Sequence, residues 1–376
     1  MAKAADKLSE YRRKRSFEAT PEPQGGDEAG RADDRKRNGR GKAAVAASGR
    51  FVVQEHDATN LHWDLRLEHE GVALSWALPR GVPQLPDRSA NRLAVRTEDH
   101  PLKYLGFHGE IPAGQYGAGT MSIWDHGTYE AEKLRDDEVI ATFSGDRMQG
   151  RYVLFRTGGK NWMIHRMDPP LDSERAPIPD DLKHMQPTKG DLPGDPESWG
   201  FEIAWGGLRT MLWCEPGHIR RSMSRGLKKE TVFAFPELRR IARSLGSTEA
   251  VLDGEIVVLS DDGRPDGRRL RERKNATSDS VAKRLARDAP ATLMLFDVLF
   301  ADGRPIVGLP YEERREALEE LELAGAAWQT PSWHRGDGDK LLGAARERGL
   351  RGLMAKRLGS EYAPGKRSKD WIKVDA

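Results

Sequence analysis

The stretch Leu61-His62-Trp63-Asp64-Leu65-Arg66-Leu67 alternates strictly between apolar and polar residues. A β-strand points successive side chains to opposite faces. The pattern therefore predicts a strand with Leu61, Trp63, Leu65 and Leu67 on a core and His62, Asp64 and Arg66 along the other face. Its surroundings share the texture. FVVQEHDATNLHWDLRLEHEGVALSWALP (51–79), RLAVRTEDHP (92–101), GTMSIWDHGTYEAEK (119–133) and GRYVLFRTGGKNWMIHRM (150–167) alternate in the same way, and Gly and Pro punctuate them. Closely spaced short runs of this kind predict an all-β barrel or sandwich over residues 51–168.

The polar face of that strand is chemically specific. A neutral imidazole and a carboxylate at two-residue spacing offer two ligands to a divalent metal, and Arg66 beside them is a fixed cationic fork suited to phosphate oxygens. His56 lies just upstream, where a loop could return it as a third ligand. Two nitrogens and one carboxylate leave positions open for water or substrate. The plain alternative is an amphipathic strand with a solvated face, although such faces usually carry Lys, Glu and Thr. The glycine-rich segment 109–119 could hold a nucleotide or be an ordinary hairpin loop.

The 376 residues suffice for two domains and a tail. Residues 1–50 hold 13 Lys/Arg against 8 Asp/Glu, an excess of five positive charges. With a formal net charge of +2, the remainder carries three negative ones. A basic tail on a near-neutral body fits nucleic-acid binding, or simply a solvated, mostly disordered segment. One cysteine, Cys214, excludes an internal disulfide and a cysteine-rich zinc site. No run spans a bilayer and no secretory signal is evident, so a cytoplasmic location is expected. Residues 169–199, rich in Pro, Asp and Gly, are expected to be a linker. Beyond it FEIAWGGLRTMLWC (201–214), EAVLDGEIVVLS (249–260), LMLFDVLF (293–300) and DWIKVDA (370–376) read as strands, with helices over 232–246 and 312–325. Residues 200–376 are thus expected to be an α+β domain.

QEHDATNLHWDLRLE (54–68), SWALPRG (75–81), RLAVRTEDHPLKY (92–104) and IPAGQYGAGT (111–120), in this order, resemble the phosphoesterase domain of bacterial DNA ligase D, over about Lys14 to Arg166. The resemblance implies a small β-barrel that removes a 3′ ribonucleoside and then a 3′ phosphate from DNA ends with manganese or a similar divalent ion. It implies His56, His62 and Asp64 as metal ligands. His100, Arg66 and Arg92 would be catalytic, and Arg15, Arg80 and Tyr104 would contact phosphate or substrate. Three departures stand out: Arg80 replaces a usual lysine, Ser16 a usual acidic residue, and Ala113 and Gln115 occupy positions where glutamates are common. His100 would either contact the phosphate or protonate the leaving oxygen.

Residues 201–376 resemble the nucleotidyltransferase core of ATP-dependent DNA ligases. Leu252-Asp253-Gly254-Glu255, Phe296-Asp297-Val298-Leu299-Phe300, Leu353-Met354-Ala355-Lys356-Arg357 and Trp371-Ile372-Lys373-Val374 carry it. The resemblance implies nucleotide contacts from Arg209, Glu255, Phe296, Lys356 and Lys373. Yet the run aligned with the Lys-x-Asp-Gly-x-Arg motif is Ala204-Trp205-Gly206-Gly207-Leu208-Arg209. Ala204 stands where the nucleophilic lysine is needed and Gly206 where aspartate is usual. Arg351 stands where a glutamate is usual, and such ligases continue into an OB-fold, which is not expected here. The expectation is a DNA-end-healing enzyme with a degenerate ligase module whose ATP binding is in doubt. Its partners would be DNA 3′ ends and, by resemblance, a Ku-type protein and a separate ligase or polymerase. The competing readings are a non-catalytic DNA-binding scaffold and a working ligase, which the missing lysine disfavours.

Overall fold

The alternating stretch forms strand β2 of a closed barrel. In chain order the strands of this region are β1 (Ala47–Asp57), β2 (Leu61–His69), β3 (Val72–Leu78), β4 (Arg92–Arg96), β5 (His100–Pro101), β6 (Gly109–Ile111), β7 (Gly119–Leu134), β8 (Glu138–Ser144), β9 (Gln149–Gly158) and β10 (Asn161–Arg166). Eight of them pair in the order β1-β2-β3-β4-β10-β9-β8-β7, and β7 returns to β1, so the sheet has closed on itself. The computed structural model describes residues 6–25, 47–225 and 227–376. The chain divides into two units, Met1–Ser173 and Glu174–Ala376.

Eight strands enclose a space that side chains just fill. Trp63, Leu65, Leu67, Trp76, Phe143, Tyr152 and Leu154 occupy it, all buried. Trp63 is the anchor on β2; cutting it to alanine removes about 3–5 kcal/mol of stability. Because the interior is packed, the polar face of β2 has to be the outer one. Two segments cover that face. One carries α1 (Ser9–Arg13); the other is the connection holding β5 and β6. Tyr11, Tyr104, Ile111 and Met121 meet there in a second apolar cluster with Phe17 and Phe107. Residues 6–25 are therefore not tail but part of the domain, because Tyr11 has no exposed surface. The first strand also begins at Ala47 rather than Phe51. The rest of the expected tail, 1–5 and 26–46, lies outside the described residues.

The carboxy-terminal unit holds two sheets. Leu208–Glu215 and Ala250–Val258 lie centrally in the larger, flanked by His218–Ser224 and Ala291–Ala301. The smaller contains Trp199–Ile203, Gly352–Arg357 and Arg367–Asp375. The unit begins inside the expected linker. Ile178, Leu182 and Met185 pack against Met211, Trp213, Tyr362 and Trp371, and Gln186–Lys189 pairs in parallel with Arg367–Asp375. Isolated apolar residues in a proline-rich stretch show no period, so this burial left no pattern to read. The helix expected over 232–246 is three short turns, Thr231–Ala234, Pro236–Arg240 and Ile241–Ser244. Pro236 lacks the amide donor that a continuous helix needs and disfavours helical backbone at Phe235. The helix expected over 312–325 is present as Tyr311–Glu320. No helix among the described residues is long and apolar enough to cross a membrane.

Candidate metal and phosphate site

Strand register assembles the site. β1 and β2 run antiparallel with His56 opposite His62 and Gln54 opposite Asp64. β3 puts Ser75 opposite Arg66, and β5 puts His100 opposite Ala73. Seven polar side chains from four strands thereby share the barrel's outer face.

The ligand atoms of His56, His62 and Asp64 all lie within 4.8 Å of one another. His56 Nδ1 is 3.8 Å and His62 Nε2 3.7 Å from the Asp64 carboxylate. The other ring nitrogens face carbonyls: His56 Nε2 is 2.8 Å from Gly117 O, and His62 Nδ1 is 2.9 Å from Asn60 O. A carbonyl only accepts, so these nitrogens carry the hydrogens. The lone pairs are left on His56 Nδ1 and His62 Nε2, the two atoms nearest Asp64. Backbone carbonyls that orient the ring in this way are typical partners of metal-binding histidines. Burial acts to raise the Asp64 carboxyl, but the adjacent Arg66 guanidinium opposes it, and the group is held well below the usual carboxylate range. An ionised carboxylate and two free imidazole lone pairs fit a divalent cation.

Beside this cluster lies a cationic wall. Arg66 donates from Nη2 to Asp64 Oδ2 (2.8 Å), from Nε to Gln54 Oε1 (2.6 Å) and from Nη1 to Ser75 Oγ (2.9 Å). Its guanidinium rests 4.6 Å from the Tyr104 ring centroid. Arg15, delivered by the covering segment after α1, donates to Glu22 (2.7 Å) and Glu98 (3.1 Å). Its Nη2 reaches 3.3 Å from His100 Nε2. His100 Nδ1 lies 2.8 Å from the Glu98 carbonyl and 2.9 Å from Arg66 Nη1; with Arg15, which can only donate, facing Nε2, the tautomer that puts the hydrogen on Nδ1 and leaves Nε2 as an acceptor satisfies Glu98 and Arg15. Burial first, then Arg66 and Arg15, push His100 well below the ordinary histidine value, so the ring is neutral. The Tyr104 hydroxyl donates to Glu22 at 2.8 Å. These groups line one cavity of about 310 Å³, together with Tyr116 of the glycine-rich loop.

Of the residues that the resemblance implied, His56, His62, Asp64, Arg66, His100, Arg15 and Tyr104 line this cavity, whereas Arg80 and Arg92 do not. Arg80 is exposed in the turn after β3. Arg92 opens β4 with the parity of Ala94, which belongs to the barrel core, so its side chain leaves the sheet on the face opposite the site. Gln54, Ser75, Glu22 and Glu98 escaped the sequence reading. For Gln54 the signal was available, since it precedes His56 by two residues in an alternating strand.

In the carboxy-terminal unit Ala204, Gly206, Arg209, Glu255, Phe296, Lys356 and Lys373 line a second cavity, of about 110 Å³. Glu202 is part of it and was also missed. Its carboxylate accepts from Lys356 Nζ at 2.9 Å and from the Tyr311 hydroxyl at 2.5 Å. The Lys356 ammonium lies 4.3 Å from Phe296, 4.4 Å from Trp371 and 4.7 Å from Tyr311, measured to ring centroids. Burial lowers its pKa against the opposing pull of Glu202. Arg209 forks onto Asp253 with bonds of 3.0 and 2.6 Å.

Comparison with known proteins gives these sites a context. The family model of the DNA ligase D 3′-phosphoesterase domain matches residues 54–156, and that of the ATP-dependent DNA ligase domain matches residues 176–375. The chain belongs to the DNA ligase D family. A multifunctional non-homologous end joining DNA repair protein LigD of Mycobacterium tuberculosis is 38% identical over 377 residues, covering 99% of this chain and 46% of that protein. The multifunctional non-homologous end joining protein LigD of Pseudomonas aeruginosa is 33% identical over 423 residues, covering 98% of this chain and 47% of that one. The chain thus spans about half the length of these ligase D relatives. A solved structure described as mycobacterial DNA ligase D complexed with ATP and MES is 32% identical. It covers 52% of this chain and 60% of its own, with a TM-score of 0.44.

Proposed function

We propose that the amino-terminal unit is a divalent-metal-dependent phosphoesterase, with manganese the expected ion, that removes a 3′ phosphate or 3′ ribonucleoside from DNA ends. The observation carrying this reading is the His56–His62–Asp64 cluster set directly beside Arg66, Arg15 and His100. A cation held by those three ligands would neutralise charge on a phosphate oxygen as a Lewis acid. Arg66 and Arg15 present guanidinium hydrogens to the remaining oxygens. Burial and then the two arginines keep His100 neutral, and an arriving phosphate offsets the arginines, so the ring gains basicity when substrate binds. His100 takes a proton from solvent at Nε2 and gives it to the leaving O3′ as water attacks phosphorus and the P–O3′ bond breaks, while the attacking water releases its proton to solvent. The products are inorganic phosphate and a 3′ hydroxyl.

The carboxy-terminal unit, in this reading, forms no lysyl-adenylate, because Ala204 offers a methyl group where an amine must attack ATP. It holds DNA or a partner instead, and a Ku-type end-binding protein and a separate ligase or polymerase are the expected associates. Two assays test the proposal. The chain is incubated with manganese and primer–templates ending in 3′ phosphate, 3′ ribonucleotide or 3′ hydroxyl, and separately with α-labelled ATP. Conversion of the first two ends to 3′ hydroxyl and an unlabelled protein band are expected. Unchanged ends overturn the phosphoesterase reading, and a labelled band stable to denaturation overturns the ligase reading.

A further inference from the structure

The hydrolytic step leaves one side chain at the cavity unexplained. Tyr116 is the only aromatic residue among the exposed large apolar side chains of the described residues, with 50% of its surface in solvent. It nevertheless lines the same cavity as the metal cluster. Its loop is held in place. Gln115 N donates to Pro112 O and Ala118 N to Gln115 O, both at 3.1 Å. Gly117 O receives the His56 hydrogen, which ties the residue next to Tyr116 to a metal ligand. Gly119 packs so tightly on β1 that a Cβ there would meet Asp57 O at 2.4 Å. The Tyr116 ring lies 4.9 Å from Lys14 Nζ and 5.4 Å from the Arg15 guanidinium carbon, two cations already paired with Glu98. A half-exposed ring fixed at the mouth of an anion site is placed to receive a flat, uncharged group.

We propose that Tyr116 is a specificity-determining platform that stacks on the terminal nucleobase, so that the site takes nucleoside 3′-phosphate ends in preference to phosphates without a base. The inference rests on the phosphoesterase reading above. A phosphate lodged between Arg66, Arg15 and His100 leaves its ribose and base at the rim, where Tyr116 stands. Stacking tolerates every base because each has a π-face, which suits an enzyme that must act on ends of any sequence.

The test uses the full chain with manganese, as wild type, Tyr116→Phe and Tyr116→Ala. Two primer–templates differ only in the last residue, a normal nucleotide or an abasic one, both bearing a 3′ phosphate. A third carries 2-aminopurine as the terminal base. Tyr116→Ala is expected to raise KM about tenfold on the normal end. Wild type should show the same rise on the abasic end, and the two changes should not add. Tyr116→Phe should behave as wild type, and quenching of 2-aminopurine on binding should survive in Phe and vanish in Ala. Equal loss on both ends, or no loss, overturns the proposal. If wild type releases no phosphate from any end, the phosphoesterase reading fails, and the quenching comparison alone decides the stacking.

Discussion

Replacing Asp64 by asparagine separates the metal role of this residue from its structural role. The substitution keeps the size and an acceptor for Arg66 Nη2, which now sits 2.8 Å away. What is lost is the charge. A hydrogen bond to a charged group contributes about 1.5–3 kcal/mol and a neutral one about 0.5–1.5 kcal/mol, so the difference is about 1–2 kcal/mol. Asp64→Ala goes further. It leaves the buried Arg66 guanidinium without its carboxylate, at a cost of about 3–5 kcal/mol. For a domain of this size 1 kcal/mol shifts Tm by about 2–4 °C, so Asp64→Asn should melt about 2–8 °C below wild type and remain folded at 25 °C. Metal binding gives the second readout. A cation present at a hundred times its Kd stabilises the folded state by about 2.7 kcal/mol. Wild-type melting should therefore rise by several degrees on adding manganese and fall back with a chelator. Asp64→Asn should lose that increment together with its 3′-phosphate release. An Asp64→Asn protein that keeps both the increment and the activity would falsify the assignment of Asp64 as a ligand.

Three further outcomes are expected. Burial and two arginines hold His100 below its unfolded value of about 6.5, so the unfolded chain binds its proton first as pH falls. Stability of the amino-terminal unit should fall from pH 7.5 to 5.5, and His100→Asn should flatten that slope; equal slopes by thermal melting would contradict the neutral ring. Gly119→Ala places a Cβ 2.4 Å from Asp57 O at a φ of +146°, costing about 1–3 kcal/mol, and should displace the loop that orients His56. Its melting point and its manganese-dependent phosphate release should drop together, whereas a loss of neither would show that the loop does not position the ligand. Ala204→Lys alone should give no labelled adenylate. A Cβ on Gly206, at a φ of +70°, would lie 2.5 Å from Arg351 Cγ, so the missing aspartate and the intruding arginine change together. Label transfer is expected only when Ala204→Lys, Gly206→Asp and Arg351→Glu are combined, and labelling of the single variant would refute the interdependence.

The sequence by itself determined the parity of β2. Strand geometry repeats every two residues, so the set His62, Asp64 and Arg66 follows from local order alone, as does the burial of Trp63 and its neighbours. The resemblance then supplied His56, His100, Arg15 and Tyr104, and the structure places all four at the same cavity. It equally supplied Arg80, which sits in an exposed turn, and Arg92, which does not line the cavity, because a motif carries residue identity but not where a side chain leaves the sheet or turn. Tertiary structure alone decided that the candidate site lies outside the barrel. That choice depends on closure between β7 and β1, a pairing over about 70 residues, which fills the interior with Trp63, Trp76 and Tyr152. It also decided that the segment around Tyr11 brings Arg15 to the cavity. A five-residue helix with one buried tyrosine has no periodic pattern to read; only the surface it covers gives it a reason to fold.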